Sequence, residues 1–240
     1  MTNIDASVLD FRQLNAAIRD CAGDAAVTGC SGQRFIGAGL ECGKLILSGT
    51  PGNALGAYLN GASIEVCGNA QDAVGDTMNA GRIVVRGSIG DAAGYAMRGG
   101  ELYVQGNAGY RAGIHMKAYG DKLPVMVIGG KAGSFLGEYQ AGGTIAVLGL
   151  DRGARRIVGN FPCTGMHGGK MYLRGKCEDI EFPKQVTTHT ADADEMKDIA
   201  EVIAPFCNVF GLDLKAVLDS EFTVVLPDTK NPFKQMYVAN

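Results

Sequence analysis

The sequence predicts an all-β solenoid. It reads as a parallel β-helix of about seven 19-residue coils, with a capping helix before it and a small α/β appendage after it. Three observations carry that prediction. Glycine makes up 36 of 240 residues, about twice its usual share. The glycines recur at a fixed interval instead of crowding into a linker. Each interval closes with strand formers in strict alternation, the pattern of a strand with one buried face.

The register starts at Cys30 and returns at Gly49, Gly68, Gly87 and Gly106, each 19 residues on. It continues at Gly130, Gly149 and Gly175, so two coils carry insertions. Counted from each start, the eighth position is glycine in six coils: Gly37, Gly56, Gly75, Gly94, Gly113 and Gly137. The eleventh is apolar at Leu59, Met78, Met97 and Met116, and Met166 matches them after the second insertion. The strands follow as Leu45 and Leu47, Ile64 and Val66, Ile83 and Val85, Leu102 and Val104, Ile145 and Val147, Met171 and Leu173. Polar outward neighbours include Glu65, Arg86, Glu101, Gln105 and Arg174.

Stacked coils satisfy this pattern. Each strand pairs in parallel with its copy above and below, about 4.8 Å away. The apolar positions then form ladders inside the rod. Corner glycines supply positive φ without a steric cost, which assigns a structural role to Gly56, Gly75, Gly94, Gly113 and Gly137. The insertions lie near Lys117 to Leu123 and between Leu150 and Pro162. Insertions in solenoids map to surface loops, often on a binding face.

The ends need covers, because a solenoid leaves open strand edges. Residues 1–29 read as the N-terminal helix and cap, with Phe11, Leu14 and Ile18 on one face and Asp5 or Ser7 as N-cap. Residues 30–186 are the β-helix. Residues 187–240 read as an appendage that caps the rod or docks a partner. Its helix carries Met196, Ile199, Val202 and Ile203 on one face and ends before Pro205, and Asp213 caps a second, short helix. "EFTVVLP" follows as a strand.

Net charge is −3, which argues against nucleic acid as a partner. No apolar run approaches the ~20 residues of a membrane span. The start "MTNIDASVLDFRQLN" lacks the features of a signal peptide, so the expected location is the cytoplasm. Seven widely spaced cysteines include no C-x-x-C pair. They read as reduced thiols with no local signature for zinc or an iron–sulfur cluster.

Few residues invite a chemical reading. "GAGLECG" has the wrong spacing for a dinucleotide loop, and no phosphate-loop motif exists. Cys163 and His167 lie four residues apart and form a nucleophile pair if they come within hydrogen-bond reach; the plainer alternative has them facing different ways near a turn. Arg152, Arg155 and Arg156 in the second insertion are candidates for an anion or partner contact, or simply a solvated loop. Asp72 and Asp91 share position five in adjacent coils and would stack about 5 Å apart. Such stacked carboxylates suggest a sugar-cleaving β-helix enzyme. Left-handed hexapeptide acyltransferases repeat every eighteen residues and lack the double glycine seen at Gly99-Gly100, Gly142-Gly143 and Gly168-Gly169. No catalytic, cofactor or metal site is assigned.

The unit in "GNAQDAVGDTMNAGRIVVRGSIGDAAGYAMRGGELYVQGNAGYRAGIHMKA", with "GGKAGSFLGEYQAGGTIAVLGL" after it, resembles the GXGXG domain at the C-terminal end of the glutamate synthase large subunit. It is also similar to the glycine-repeat component of formylmethanofuran dehydrogenase and of the related formyltransferase/hydrolase complex. The resemblance covers roughly residues 30 to 176 and implies a right-handed β-helix with a structural role. In glutamate synthase the chemistry belongs to a cysteine amidotransferase domain and an FMN and iron–sulfur barrel. Residue 2 here is Thr, so no catalytic residue carries over. The implied function is a scaffold subunit, without a cofactor of its own, that holds amidotransferase and FMN-binding synthase subunits together. A formyl-transfer scaffold and a freestanding β-helix enzyme are the alternatives. A stacked polar groove would favour the enzyme; an apolar or mixed patch near the insertions or the tail would favour a scaffold. Whether the chain forms a homo-oligomer is left open.

Overall fold

The computed structural model describes residues 1–151, 153 and 155–228. Its chain winds into a parallel β-solenoid of about eight turns, one more than the glycine register suggests. Among the described residues nine parallel strands run along one face: β1 (Thr2–Asp5), β2 (Ala25–Ser31), β3 (Lys44–Thr50), β4 (Asn60–Val66), β5 (Ala80–Val85), β6 (Glu101–Val104), β7 (Val125–Ile128), β8 (Ala141–Val147) and β9 (Gly168–Arg174). The turn beyond the register arises because β1 pairs in parallel with β2, and the helix α1 (Phe11–Asp20) is the crossover between them.

Each strand stacks its alternate residues on those of the next. Leu45, Ile64, Ile83, Leu102, Met126, Ile145 and Met171 form one rung-by-rung ladder. Leu47, Val66, Val85, Val104, Ile128, Val147 and Leu173 form a second, and both are buried. Met78, Met97, Met116 and Met166 pack into the same core from across the coil. Gln140 breaks that methionine row. It is fully buried, and its Nε2 donates to the Gly142 and Gly143 carbonyls at 3.3 and 3.2 Å.

The turn facing this core has an unusual backbone. In every coil three alternate residues take left-handed conformations, at positions six, eight and ten. Gly56, Gly75, Gly94, Gly113 and Gly137 occupy position eight with φ between +64° and +71°. The flanking positions are mostly not glycine, as in Ala54 and Tyr58, Ala73 and Thr77, or Ala92 and Ala96. Position eight points inward, where a Cβ on Gly137 would come within 2.7 Å of Met171 Cε. Positions six and ten are those where Phe35, Tyr58, Tyr139 and Phe161 stand exposed, so a side chain there avoids the core at a cost in backbone strain.

Short polar side chains stitch the coils together elsewhere. Asp72 Oδ1 accepts from the Asp91 N–H at 2.9 Å, and Asp91 Oδ1 accepts from the Tyr110 N–H at 2.7 Å. Asn69, Ser88 and Asn107 do the same in a neighbouring row.

Both ends are covered. Asp10 is the N-cap of α1, with Gln13 completing a capping box. This corrects the expectation of Asp5 or Ser7, because Asp5 instead caps a short 3₁₀ turn over Ala6–Val8. Leu14 and Ile18 enter the core, whereas Phe11 lies outside it. Asn15 Oδ1 accepts from the Gly37 N–H at 3.0 Å. In the next coil the matching Gly56 N–H is satisfied by the Ile36 carbonyl, so α1 stands in for a missing coil.

At the far end the chain adds β10 (Val186–Thr190), α2 (Ala193–Phe210), α3 (Leu214–Leu218) and β11 (Phe222–Pro227). Strand β11 pairs antiparallel with β9, and β10 pairs with β11. The helix α2 does more than cap. It lies on the outer face of the sheet, over Val84, Tyr103, Val127, Ala146 and Tyr172, with Ile199, Ile203 and Phe206 forming a second core against them. Pro205 stands inside α2 rather than just after it. The outward strand positions in this half are therefore apolar at the middle of each strand, and at Val84, Tyr103 and Tyr172 they lie between the polar residues read from the sequence.

Candidate docking surface

Positions six and ten of each turn project away from the core. In the middle coils they hold Ala54, Tyr58, Ala73, Thr77, Ala92 and Ala96. In the last coils they hold Arg111, His115, Phe135, Tyr139 and Phe161, with φ from +53° to +59°. Glycine fits these positions: Gly39 and Gly165 stand at the equivalents of Tyr139. The Tyr139 ring lies over Gly165, where any Cβ would collide with it.

These side chains stack along the rod. Phe135 sits 5.1 Å from Tyr110 and 5.2 Å from Phe161 between ring centroids. His115 stacks flat on Tyr139 at 5.1 Å and meets the edge of Tyr95 at 5.8 Å. The Arg111 guanidinium rests over Tyr110 at 4.9 Å and donates to Glu138 Oε2 at 2.9 Å. The rings are nonetheless open to solvent: Tyr139 is 44% and Phe161 60% exposed. The two stacks form a ridge of largely exposed rings, most of them on left-handed backbone, outside the core cluster. Left-handed non-glycine residues of this kind collect at functional sites, where strain is tolerated for what the side chain does. Phe161 lies inside the second insertion, next to the docking region expected there.

The chemical candidates behave differently. Cys163 replaces the position-eight glycine in the last turn, at φ +60°. It is fully buried, its thiol faces Met171 Sδ at 3.6 Å, and burial pushes its pKa up to about 12. A thiol so held is protonated at neutral pH and is no nucleophile. His167 turns its Nδ1 to the Gly165 carbonyl at 2.9 Å. Arg156 pairs with Asp179 at 3.2 Å and Arg155 is exposed; Arg152 lies outside the described residues. Asp72 and Asp91 hold the neighbouring coil's backbone N–H groups. No group of three or more His, Cys, Asp or Glu suited to a metal ion occurs among the described residues. None of the described helices is long and apolar enough to cross a membrane.

The profile of the GXGXG motif family matches residues 13–229. The chain belongs to this family. An uncharacterized protein of Methanocaldococcus jannaschii is similar to it along nearly its whole length: 40% identity over 248 residues, covering 98% of this chain and 95% of the relative. The GXGXG match runs past the repeat, through α1 at one end and through α2 and β11 at the other. Those elements extend the family resemblance well beyond residues 30 to 176. The ridge is legible in the sequence as aromatic and basic residues at positions six and ten, with Tyr95 and Tyr110 beside them at positions nine and five. Reading the corners for their glycines alone misses it.

Proposed function

We propose that this GXGXG protein is a non-catalytic structural subunit of a glutamate-synthase-like complex. It holds amidotransferase and FMN-binding synthase subunits at a fixed separation, and the aromatic ridge is one of the faces it offers them. The family suggests the setting. The observation that carries the reading is the ridge itself, two neighbouring stacks of rings, Tyr110–Phe135–Phe161 and Tyr95–His115–Tyr139, all exposed except the half-buried Phe135. Exposed Tyr, Phe and Arg in a rigid frame are the residue types that anchor protein interfaces. Every coil is locked to its neighbours by parallel pairing, which suits a spacer. The stacked aspartates, which would have favoured a freestanding enzyme, are engaged with backbone.

The test is a pull-down of the tagged protein at native level, with mass spectrometry of what accompanies it. Recovery of an FMN-type synthase subunit and an amidotransferase subunit supports the reading. The variant Phe135→Gly/Tyr139→Gly/Phe161→Gly is expected to lose at least one of them while keeping its fold. Recovery of formyl-transfer subunits, or of none, overturns it.

A further inference from the structure

A second, separate patch lies on the same face at the opposite end of the rod. Phe35 holds position six of the first glycine-register coil at φ +59°, and it is 42% exposed. The next three coils carry only Ala54, Ala73 and Ala92 at that position. Phe35 is five coils from Phe135, about 24 Å along the rod. Its ring meets that of Phe11, the first residue of α1, at 6.2 Å and 53°. The Arg34 guanidinium lies 4.7 Å from the Phe11 centroid and 5.8 Å from that of Phe35. Arg12 lies 5.4 Å from Phe11.

Arg12 and Arg34 differ from four arginines of the rod. Arg82, Arg86, Arg111 and Arg156 are paired with Glu101, Glu65, Glu138 and Asp179. Neither Arg12 nor Arg34 has a carboxylate within ion-pair distance among the described residues. The nearest capping acid, Asp10, spends its Oδ1 on the backbone N–H groups of Arg12 and Gln13. A guanidinium held over a ring keeps its in-plane N–H groups free, and those groups match a carboxylate in a bidentate fork.

We infer that Phe11, Arg12, Arg34 and Phe35 form a docking patch for a carboxylate-bearing segment of a partner protein. Charge complementarity sets the occupant: two cations without counter-ions, on an apolar base, in a chain whose net charge is −3. A polyanion such as nucleic acid would meet that overall negative field, whereas two carboxylates on a short segment neutralise the patch locally. The inference rests on the scaffold reading only in taking the occupant to be a protein.

The probe is a fluorescein-labelled acetylated octapeptide of glutamate and leucine, followed by anisotropy on the full chain. A lysine–leucine octapeptide and a single-stranded oligothymidine are the comparison probes. We expect binding of the acidic peptide alone, weakened about tenfold by Arg12→Gln/Arg34→Gln and about tenfold by raising salt to about 0.3 M. Arg12→Lys/Arg34→Lys should recover less than half of the lost binding free energy, because an ammonium lacks the fork. Phe35→Ala should weaken binding with an unchanged melting temperature. The ridge variant should bind the peptide normally, so peptide binding that survives a failed pull-down faults the scaffold reading alone. No binding at about 1 mM peptide, binding unaffected by loss of both arginines, or tighter binding of the oligothymidine would each overturn the inference.

Discussion

Gly94 and Gly75 hold the same position of adjacent coils, at φ +66° and +71°. They differ in what surrounds them. A Cβ on Gly94 would strike Met126 Cε, whereas one on Gly75 would meet its nearest neighbour, Ile83 Cδ1, at an ordinary 3.6 Å. Gly75→Ala is therefore expected to cost about 1 kcal/mol, the strain of a left-handed residue. Gly94→Val adds overpacking and should cost about 2–3 kcal/mol. Urea unfolding of both variants measures the difference; equal losses would show that strain alone sets the corner. The buried thiols give a second residue-scale prediction. Burial raises Cys163 to about 12 and Cys30 to about 11 from an ordinary value near 9. A pKa raised by folding means that the native state holds its proton more tightly. The stability linked to these thiols is full below about pH 9 and declines as pH climbs toward the folded values. At about pH 8 an alkylating reagent should label the exposed Cys42 and Cys67 and spare Cys163 until unfolding.

At the scale of elements, α2 and the polar ladder each have a defined task. Phe206 is fully buried and meets the Tyr103 ring edge-on at 6.0 Å. Phe206→Ala should destabilise the chain by about 3 kcal/mol, by loss of burial and of the aromatic contact. Thermal unfolding would reveal it; a negligible shift would mean that α2 is not integral to the fold. The ladder of Asp72 and Asp91 uses each carboxylate as an acceptor for the coil above. Asp72→Asn keeps an acceptor, as Asn53 already does one coil below, and should leave stability within about 0.5 kcal/mol. Asp72→Leu removes the acceptor and should cost about 1 kcal/mol. The alternation of Val84, Tyr103 and Tyr172 with polar neighbours did not announce a covered outer face. On the outward row Val84, Tyr103 and Tyr172 are each a single apolar residue between charged or polar ones. Their common burial emerges only when five coils align them under one helix.

Across the whole molecule, the rod presents two aromatic–arginine patches, separated at position six by a row of three alanines. The ridge variant Phe135→Gly/Tyr139→Gly/Phe161→Gly trades ring stacking, about 1 kcal/mol per pair, against relief of left-handed strain of similar size. Its melting temperature should move little while partner recovery falls. A large loss of stability would instead make the ridge part of the fold. The fold was legible because a solenoid repeats its local rules in every coil. The 19-residue interval, the inward pairs such as Ile83 and Val85, and the row from Met78 to Met116 all state it independently. The ridge was less legible, since nothing local distinguishes Tyr139 at a corner from any exposed tyrosine.

What the sequence determined by itself is the stacked architecture. Period, corner glycine and strand alternation are short-range properties, and each coil needs only its neighbours to satisfy them. Tertiary structure decided the rest. It made α1 the substitute for a preceding coil through Asn15 and Gly37, laid α2 across the outer sheet, and engaged Asp72 and Asp91 with backbone. It also separated the thiol of Cys163 from chemistry by burying it against Met171, and gathered rings from positions far apart in the chain into two stacks on one face. These outcomes depend on which surfaces meet once the coils are stacked, and the sidedness of a left-handed corner residue is fixed only by that stacking.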